Sequence, residues 1–305
     1  MMEMAGDDFE ALLARRAGEV EDRLRAELDG RPREGEIARP DRLMAAIRHG
    51  VLAGGKRLRP FLVLESASLF GVPQEDALAA AAAVECVHCY SLIHDDLPAM
   101  DDDDMRRGRP TVHKAFDEAA AILAGDALLT FAFDLLSGEE SRVEPGRRLG
   151  LVRALARASG FGGMAGGQAL DLAAESEKPD EAGIIVLQAM KTGALIRFSC
   201  EAGAILGGAS PAERERLAEF GSAIGLAFQL ADDLLDITST SAVLGKAAGK
   251  DAAAGKATLA ALNGQDWARR QLDGLVGQAC ELVAPFGDKA ASLRAAARFV
   301  AYRKK

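Results

Sequence analysis

Two groups of carboxylates, more than a hundred residues apart, are the first residues in this chain whose types and spacing could do chemistry. DDLPAMDDDD at 95–104 crowds acids onto one short segment. Their mutual repulsion calls for cations or solvent, and hard oxygen ligands suit magnesium when diphosphate oxygens complete its shell. Taken alone, the same segment reads equally well as an acidic surface turn. The second group, Asp232, Asp233 and Asp236, lies in FQLADDLLDI. On a helix Asp232 and Asp236 share one face, Asp233 sits at its edge, and Gln229 precedes Asp232 by about one turn. Apolar neighbours on both sides disfavour a merely solvated charged stripe. Opposed across a cavity, the two groups would supply carboxylates to magnesium ions bridging a diphosphate.

Basic residues accompany both groups. Lys56, Arg57 and Arg59 stand in GGKRLRP, while Arg106, Arg107 and Arg109 follow the first acidic run. Guanidinium groups clamp phosphate oxygens through parallel hydrogen bonds, and lysine offers a compact charge. Surface salt bridging is the competing account for any one arginine; two blocks together point to anion binding. Lys191 and Thr192, in QAMKTGALIRF, add a cation and a hydroxyl ahead of an apolar helix. Lys246, Lys250 and Lys256 punctuate a Gly-bearing stretch that reads either as a mobile loop closing over diphosphate or as a linker. A nucleotide-binding P-loop is absent. Cys86-Val-His-Cys89 has half the spacing of a zinc site but no second half, so packing is the better reading. His88, two helical turns before Asp95, could face the same cavity or be a satisfied core histidine. Tyr90, five residues before Asp95, stands about 7.5 Å along an ideal helix, as a cavity floor or as ordinary core. His94 adjoins the acids but is free to turn away.

Helices must carry these groups. The chain has 305 residues, 49% hydrophobic, 27% charged and only 5% aromatic, with many Ala and Leu. Strand-like alternation is not found, so helix is expected almost throughout. Helical spacing runs over about 7–29, and Pro32, Gly35 and Pro40 interrupt it before a helix with Asp41 as its N-cap. Further helices are expected from near Phe61, from Asp76 to about Leu97 with Pro98 ending it, and over 111–136, 144–160 and 181–206. Another carries FQLADDLLD, 238–258 is a loop, and two more finish the chain. Small residues in GFGGMAGGQALDL suggest tight backbone packing. Residues 1–305 read as a single helical domain, with an N-terminal extension around 1–39. The net charge of -9 argues against nucleic acid as a partner. No uninterrupted apolar run long enough for a bilayer is seen, no export core opens the chain, and four scattered cysteines make no disulfide framework. A cytoplasmic enzyme is the expected class.

The combination of GGKRLRP, AAAVECVHCYSLIHDDLPAMDDDDMRRGRPT, AILAGDALL, GGQALDL, KTGALIR and FQLADDLLD closely resembles the bacterial short-chain trans-isoprenyl diphosphate synthases, the farnesyl diphosphate synthases in particular. The resemblance runs from about residue 40 onward. It implies an all-α isoprenoid synthase fold around a deep central cavity, assembled as a homodimer. Asp95, Asp96 and Asp101 match the first metal motif, and Asp232, Asp233 and Asp236 the second, together holding three Mg2+ ions. Lys56, Arg59, His88 and Arg107 match the residues that hold isopentenyl diphosphate. Arg106, Lys191 and Lys246 match those that contact the allylic diphosphate, with Gln229, Thr192 and Lys256 placing or closing the reacting site. The resemblance makes Lys191, Thr192 and Gln229 the residues nearest the proton that is lost, and gives the aromatic at Tyr90 a role in limiting product length. Farnesyl diphosphate, from dimethylallyl and geranyl diphosphates, is the expected product. A geranylgeranyl diphosphate synthase and a noncatalytic partner subunit are the alternatives. Ala231 and Met105 depart from the usual pattern without removing a ligand.

Overall fold

The computed structural model describes residues 4–138, 141–242 and 258–303, the side chains of 238–242 excepted. Helices α1 (Gly6–Glu27), α2 (Asp41–Val51), α3 (Leu58–Ser68) and α4 (Gln74–Asp95) come first. A hairpin, β1 (Met105–Arg106) and β2 (Arg109–Pro110), is the only sheet among the described residues. Helices α5 (Val112–Ala115), α6 (Glu118–Ser137), α7 (Pro145–Ser159), α8 (Met164–Ala174) and α9 (Glu181–Gln188) follow. A π-turn (Ala189–Gly193) joins α9 to α10 (Ala194–Gly207). The long α11 (Pro211–Ala242), then α12 (Leu259–Asn263), α13 (Gln265–Val283), a 3₁₀ segment (Ala284–Ala290) and α14 (Ala291–Tyr302) complete the described chain.

The expected all-helical class therefore holds, and its boundaries need five corrections. Pro40 occupies the N-cap of α2, so Asp41 is the first helical residue and caps nothing. Helix α4 stops at Asp95, three residues before Pro98, because the amides of Asp101 and Asp103 return to the carbonyls of Asp95 and Asp96 at 2.8 and 3.2 Å. The 111–136 segment is two helices: Asp117 breaks it, with extended backbone and a side chain accepting from the Ala120 amide at 2.7 Å. Helix α11 continues to Ala242, so only 243–257 of the expected loop falls outside the described residues. Among the described residues three α-helices rather than two follow it.

The core is built on α4, where Ala80, Ala81, Ala82 and Ala83 are at most 1% exposed and let α6 and α3 approach closely. On the other side α10 packs against α3 and α11, and α11 against α13. By length and composition α4, α6 and the α9–α10 rod would each be apolar enough to cross a membrane, although charged residues such as Glu85 in α4 and Asp126 in α6 interrupt their apolar runs. In α4 most of those residues are buried against other helices, so packing accounts for its apolarity. Helix α6 leaves Ile122 and Leu123 exposed.

Candidate active site

The first acidic motif is assembled where α4 ends. Asp95 is its last residue and is half-buried; Asp96 is buried, and Asp101 is exposed on the returning loop. Arg106 reaches Asp96 Oδ1 with Nε at 2.7 Å and Nη2 at 2.6 Å. The hairpin explains why adjacent arginines part company. Its two turn residues, Arg107 and Gly108, both have positive φ (52° and 75°), the pattern of a tight two-residue hairpin turn. Arg106 thereby pairs within the acidic motif, whereas Arg107 donates to the Gly54 carbonyl in the GGKRLRP loop. Gly55 there has φ 134°, a backbone conformation that favours glycine.

Burial pushes the Asp95 carboxyl up to about 6; Lys191 pulls it down, while Asp101 and Asp96 push it further up. Lys191 and Asp101 thus lie close enough to Asp95 for their charges to act on it. Lys191 and Thr192 sit in the π-turn, a form of helix that recurs at functional sites. Two glycines hold that turn: a Cβ on Gly167 of α8 would lie 2.1 Å from the Lys191 amide nitrogen, and one on Gly225 of α11 would lie 3.0 Å from Gly193 Cα. The tight packing expected of GGQALDL is therefore real, and it brings Lys191 and Thr192 to the helix that carries Gln229. Lys191 Nζ is 2.5 Å from Asp171 Oδ2, a partner that sequence reading missed. Its only signal was the one-turn spacing from Gln168 on α8; both amide atoms of Gln168 are buried without a hydrogen-bond partner among the described residues.

The three acids of the second motif diverge. Asp232 is half-buried and bound by Arg303 from beyond α14. Burial raises its pKa, and Arg303 and Lys56 oppose the rise. Asp233 is buried and held by the Gln188 side chain and the Ala260 amide; burial pushes it up to about 6. Asp236 is exposed. Arg303 was absent from the expected residues, because nothing near the chain end marks a cation for this site.

Lys56, Arg59, His88, Arg107, Asp232 and Arg303 line one cavity of about 470 Å³. It brings together the four expected isopentenyl diphosphate residues and one acid of the second motif. Burial depresses the pKa of His88 well below its ordinary value, and Arg59 and Arg107 depress it further, so its imidazole is neutral at pH 7. Burial also lowers the pKa of Arg59, whose Nε has no hydrogen-bond partner among the described residues. A half-buried guanidinium beside a neutral imidazole and Arg107 gains most from an anion that enters with its own oxygen acceptors. Arg57, the middle cation of the loop, turns inward instead. His94 turns to the Ile122 carbonyl, with Nε2 at 3.1 Å. Cys86 and Cys89 are buried in the core, and burial pushes the Cys89 thiol up to about 12. Lys246, Lys250 and Lys256 lie outside the described residues.

A further group, Asp102, Asp104 and His113, brings ligand atoms within 4.8 Å of one another. Asp102 and Asp104 were not singled out as ligands in the sequence. Lys114 Nζ already lies 2.9 Å from Asp104 Oδ1, which offsets part of the charge a cation would meet.

The raised acids have a consequence for the metal-free protein. Asp95 and Asp233 bind protons more tightly folded than unfolded, so their protonation stabilises the fold. That contribution is complete below the ordinary value of 3.8 and is lost as pH rises through about 6. In chelator, lowering pH from about 7.5 to about 5.5 is expected to raise the melting temperature of the wild type relative to an Asp95→Asn, Asp233→Asn double variant. Calorimetric curves that track each other across that interval would remove these two acids from the account.

Comparison with known proteins gives this arrangement a class. Residues 40–284 match the family described as Polyprenyl synthetase, and the chain belongs to that family. It is a prenyl chain-elongating enzyme, a trans-isoprenyl diphosphate synthase. Farnesyl diphosphate synthase of Escherichia coli is 45% identical over 272 residues, 86% of this chain and 90% of that protein. The large subunit 1 of a heterodimeric chloroplastic geranylgeranyl pyrophosphate synthase from Arabidopsis thaliana is 44% identical over 274 residues, 88% of this chain and 74% of that protein. A solved FPP/GFPP synthase from Zymomonas mobilis superimposes with a TM-score of 0.86 at 45% identity, covering 98% of this chain and 100% of that one.

Proposed function

We propose that this enzyme condenses isopentenyl diphosphate with dimethylallyl diphosphate and then geranyl diphosphate, giving mainly (2E,6E)-farnesyl diphosphate and inorganic diphosphate. The observation that carries the reading is the cavity in which Lys56, Arg59, His88 and Arg107 converge beside Asp232. Those four residues would bind the isopentenyl diphosphate headgroup. Arg106 and Lys191, with Lys246, would contact the allylic diphosphate, and Lys256 would help close the site.

The donor set fits Mg2+: hard carboxylate oxygens, half-buried at Asp95 and Asp232, with burial raising the pKa of both. Asp95, Asp96, Asp101, Asp232, Asp233 and Asp236 would hold the metal, three ions in the closed complex. When bound, the metal neutralises the allylic diphosphate and makes it a better leaving group. The allylic C–O bond breaks, the alkene of isopentenyl diphosphate attacks the electron-poor carbon, and loss of a proton restores a double bond. Lys191, Thr192 and Gln229 would shield that carbon from water and stand beside the departing diphosphate, which takes the proton. No protein nucleophile is needed.

The farnesyl and geranylgeranyl synthases compared are about equally similar to this chain, so the product assignment leans on Tyr90. The tyrosine is half-buried, packs against the core, and is near enough to Asp95 for that charge to raise its pKa alongside burial. It would floor the tail pocket at the farnesyl length. A deeper pocket with identical chemistry would make geranylgeranyl diphosphate, the second reading. A homodimer is part of the proposal, with the exposed Ile122 and Leu123 on α6 as candidate contact residues, and so is a cytoplasmic location. A noncatalytic partner role is disfavoured by the assembled acidic and basic groups.

The test is purified protein incubated with Mg2+, isopentenyl diphosphate and each allylic diphosphate, the products resolved by length. Fifteen-carbon product with metal-dependent diphosphate release is expected. A twenty-carbon main product would assign the second reading, and no release from either substrate pair would overturn both.

A further inference from the structure

Arg57 combines three observations that its neighbours' roles leave unexplained. It caps α3 in the left-handed region, φ 50° and ψ 42°, a conformation that costs a non-glycine residue about 1–3 kcal/mol unless its surroundings hold it there. Its side chain is fully inaccessible, although it lines the wall of the diphosphate cavity together with Lys56 and Arg59. And its guanidinium is held from three directions. Nη1 donates to Glu85 Oε1 at 2.6 Å, while Nη2 donates to the Val51 carbonyl at 2.6 Å and to Glu21 Oε1 at 3.2 Å.

Each partner comes from a different element. Val51 ends α2, Glu85 is on α4 one turn before His88, and Glu21 is on α1. Helix α1 lies wholly before residue 40, where the family match begins. Elsewhere it is fastened to α3 as well: Arg16 Nε lies 2.8 Å from Glu65 Oε1, and the Phe9 ring meets Phe61 edge-on at 5.4 Å. The helix is thus anchored directly behind the loop that presents Lys56 and Arg59.

Glu85 gives the arrangement its electrostatic sense. It is buried, it lines the same cavity as Arg59 and His88, and its charge acts on Arg59. A bare carboxylate there would repel an incoming diphosphate and compete with it for Arg59. The Arg57 guanidinium neutralises that carboxylate and, by the same bonds, holds the left-handed turn that separates Lys56 from Arg59.

We propose that Arg57 is a positioning residue for the isopentenyl diphosphate subsite, and that through the Glu21–Arg57–Glu85 cluster helix α1 becomes part of that subsite. This rests on the assignment of the cavity made above. Arg57 masks Glu85, leaving Arg59 and neutral His88 for substrate, and Glu21 steadies Arg57 from the N-terminal helix.

The test measures isopentenyl diphosphate binding by calorimetry in chelator, where metal-dependent allylic binding is silent, alongside steady-state kinetics. Arg57→Met is expected to weaken binding about tenfold and to raise the KM for isopentenyl diphosphate alike, with kcat and the allylic KM within about twofold. Adding Glu85→Gln to Arg57→Met removes the exposed charge and is expected to restore affinity to within about threefold of wild type. Glu21→Gln, which leaves Lys56, Arg59 and Arg107 in place, is expected to weaken binding about threefold. Unchanged affinity in a folded Arg57→Met protein would overturn the proposal, and so would a double variant as weak as the single one. If Arg57→Met does not fold, the decision falls to Glu21→Gln, and wild-type affinity there overturns it. Wild-type protein that takes up no isopentenyl diphosphate in chelator would instead refute the cavity assignment, and this proposal with it.

Discussion

Replacing Asp232 with Asn is expected to lower turnover about a thousandfold, roughly 4 kcal/mol of transition-state stabilisation, while leaving the fold intact. Asn keeps the shape of Asp but removes the charge that would hold a cation beside a leaving diphosphate. Burial already raises the pKa of this acid, so the folded chain gains little from its ionised form. The Arg303 guanidinium loses the charge of its partner but keeps its bonds to the Val300 and Phe228 carbonyls and its place on the Phe228 ring, 4.1 Å from the centroid. The melting temperature should therefore stay near the wild-type value while the Mg2+ requirement rises. Rates measured across Mg2+ concentrations, with saturating substrates, separate metal affinity from the chemical step. Exposed Asp236, as Asn, is expected to lose less. Wild-type turnover with an unshifted Mg2+ curve in the Asp232 variant would remove the second motif from the metal site.

Tyr90→Ala is expected to move the main product from fifteen to twenty carbons. The argument weighs pocket depth against stability. An added isoprene unit buries five carbons, worth about 4 kcal/mol at ~0.8 kcal/mol per buried methylene. That is enough to retain a fifteen-carbon intermediate for another addition once space exists below it. The cost to the fold is smaller than for a wholly buried aromatic, about 1–3 kcal/mol, because Tyr90 is half-buried; its edge-on contact with the His94 ring, 5.7 Å away, is lost as well. Product chromatography, with circular dichroism to show that the variant is folded, decides the matter. An unchanged length distribution from folded Tyr90→Ala protein would place the floor elsewhere.

Much of the chemistry was legible because it is written locally. The acids of 95–104 and 232–236, the basic loop and the RRGRP turn are each contiguous, and their charges and spacing restrict what they can bind. Helical class was legible for a similar reason, since Ala- and Leu-rich periodic segments have few other ways to bury their apolar faces. Boundaries were less so. Pro98 looked like the end of α4, yet Asp95 was, because returning loop amides claimed the last carbonyls. The break at Asp117 went unread because a single capping acid inside an apolar stretch is a weak local signal.

What the amino-acid order determined by itself was the inventory: which groups can hold metal and anion, and which stretches are helical enough to carry them. Tertiary structure decided the partnerships. It sent Arg106 to Asp96 and Arg107 to Gly54, tied Asp233 to Gln188 and Ala260, and supplied Asp171 and Arg303 as counter-ions from other elements of the fold. The physical reason is range. Backbone preference and periodicity act over a few residues, whereas the pairing of two charges depends on separation and burial, and both arise only when helices pack.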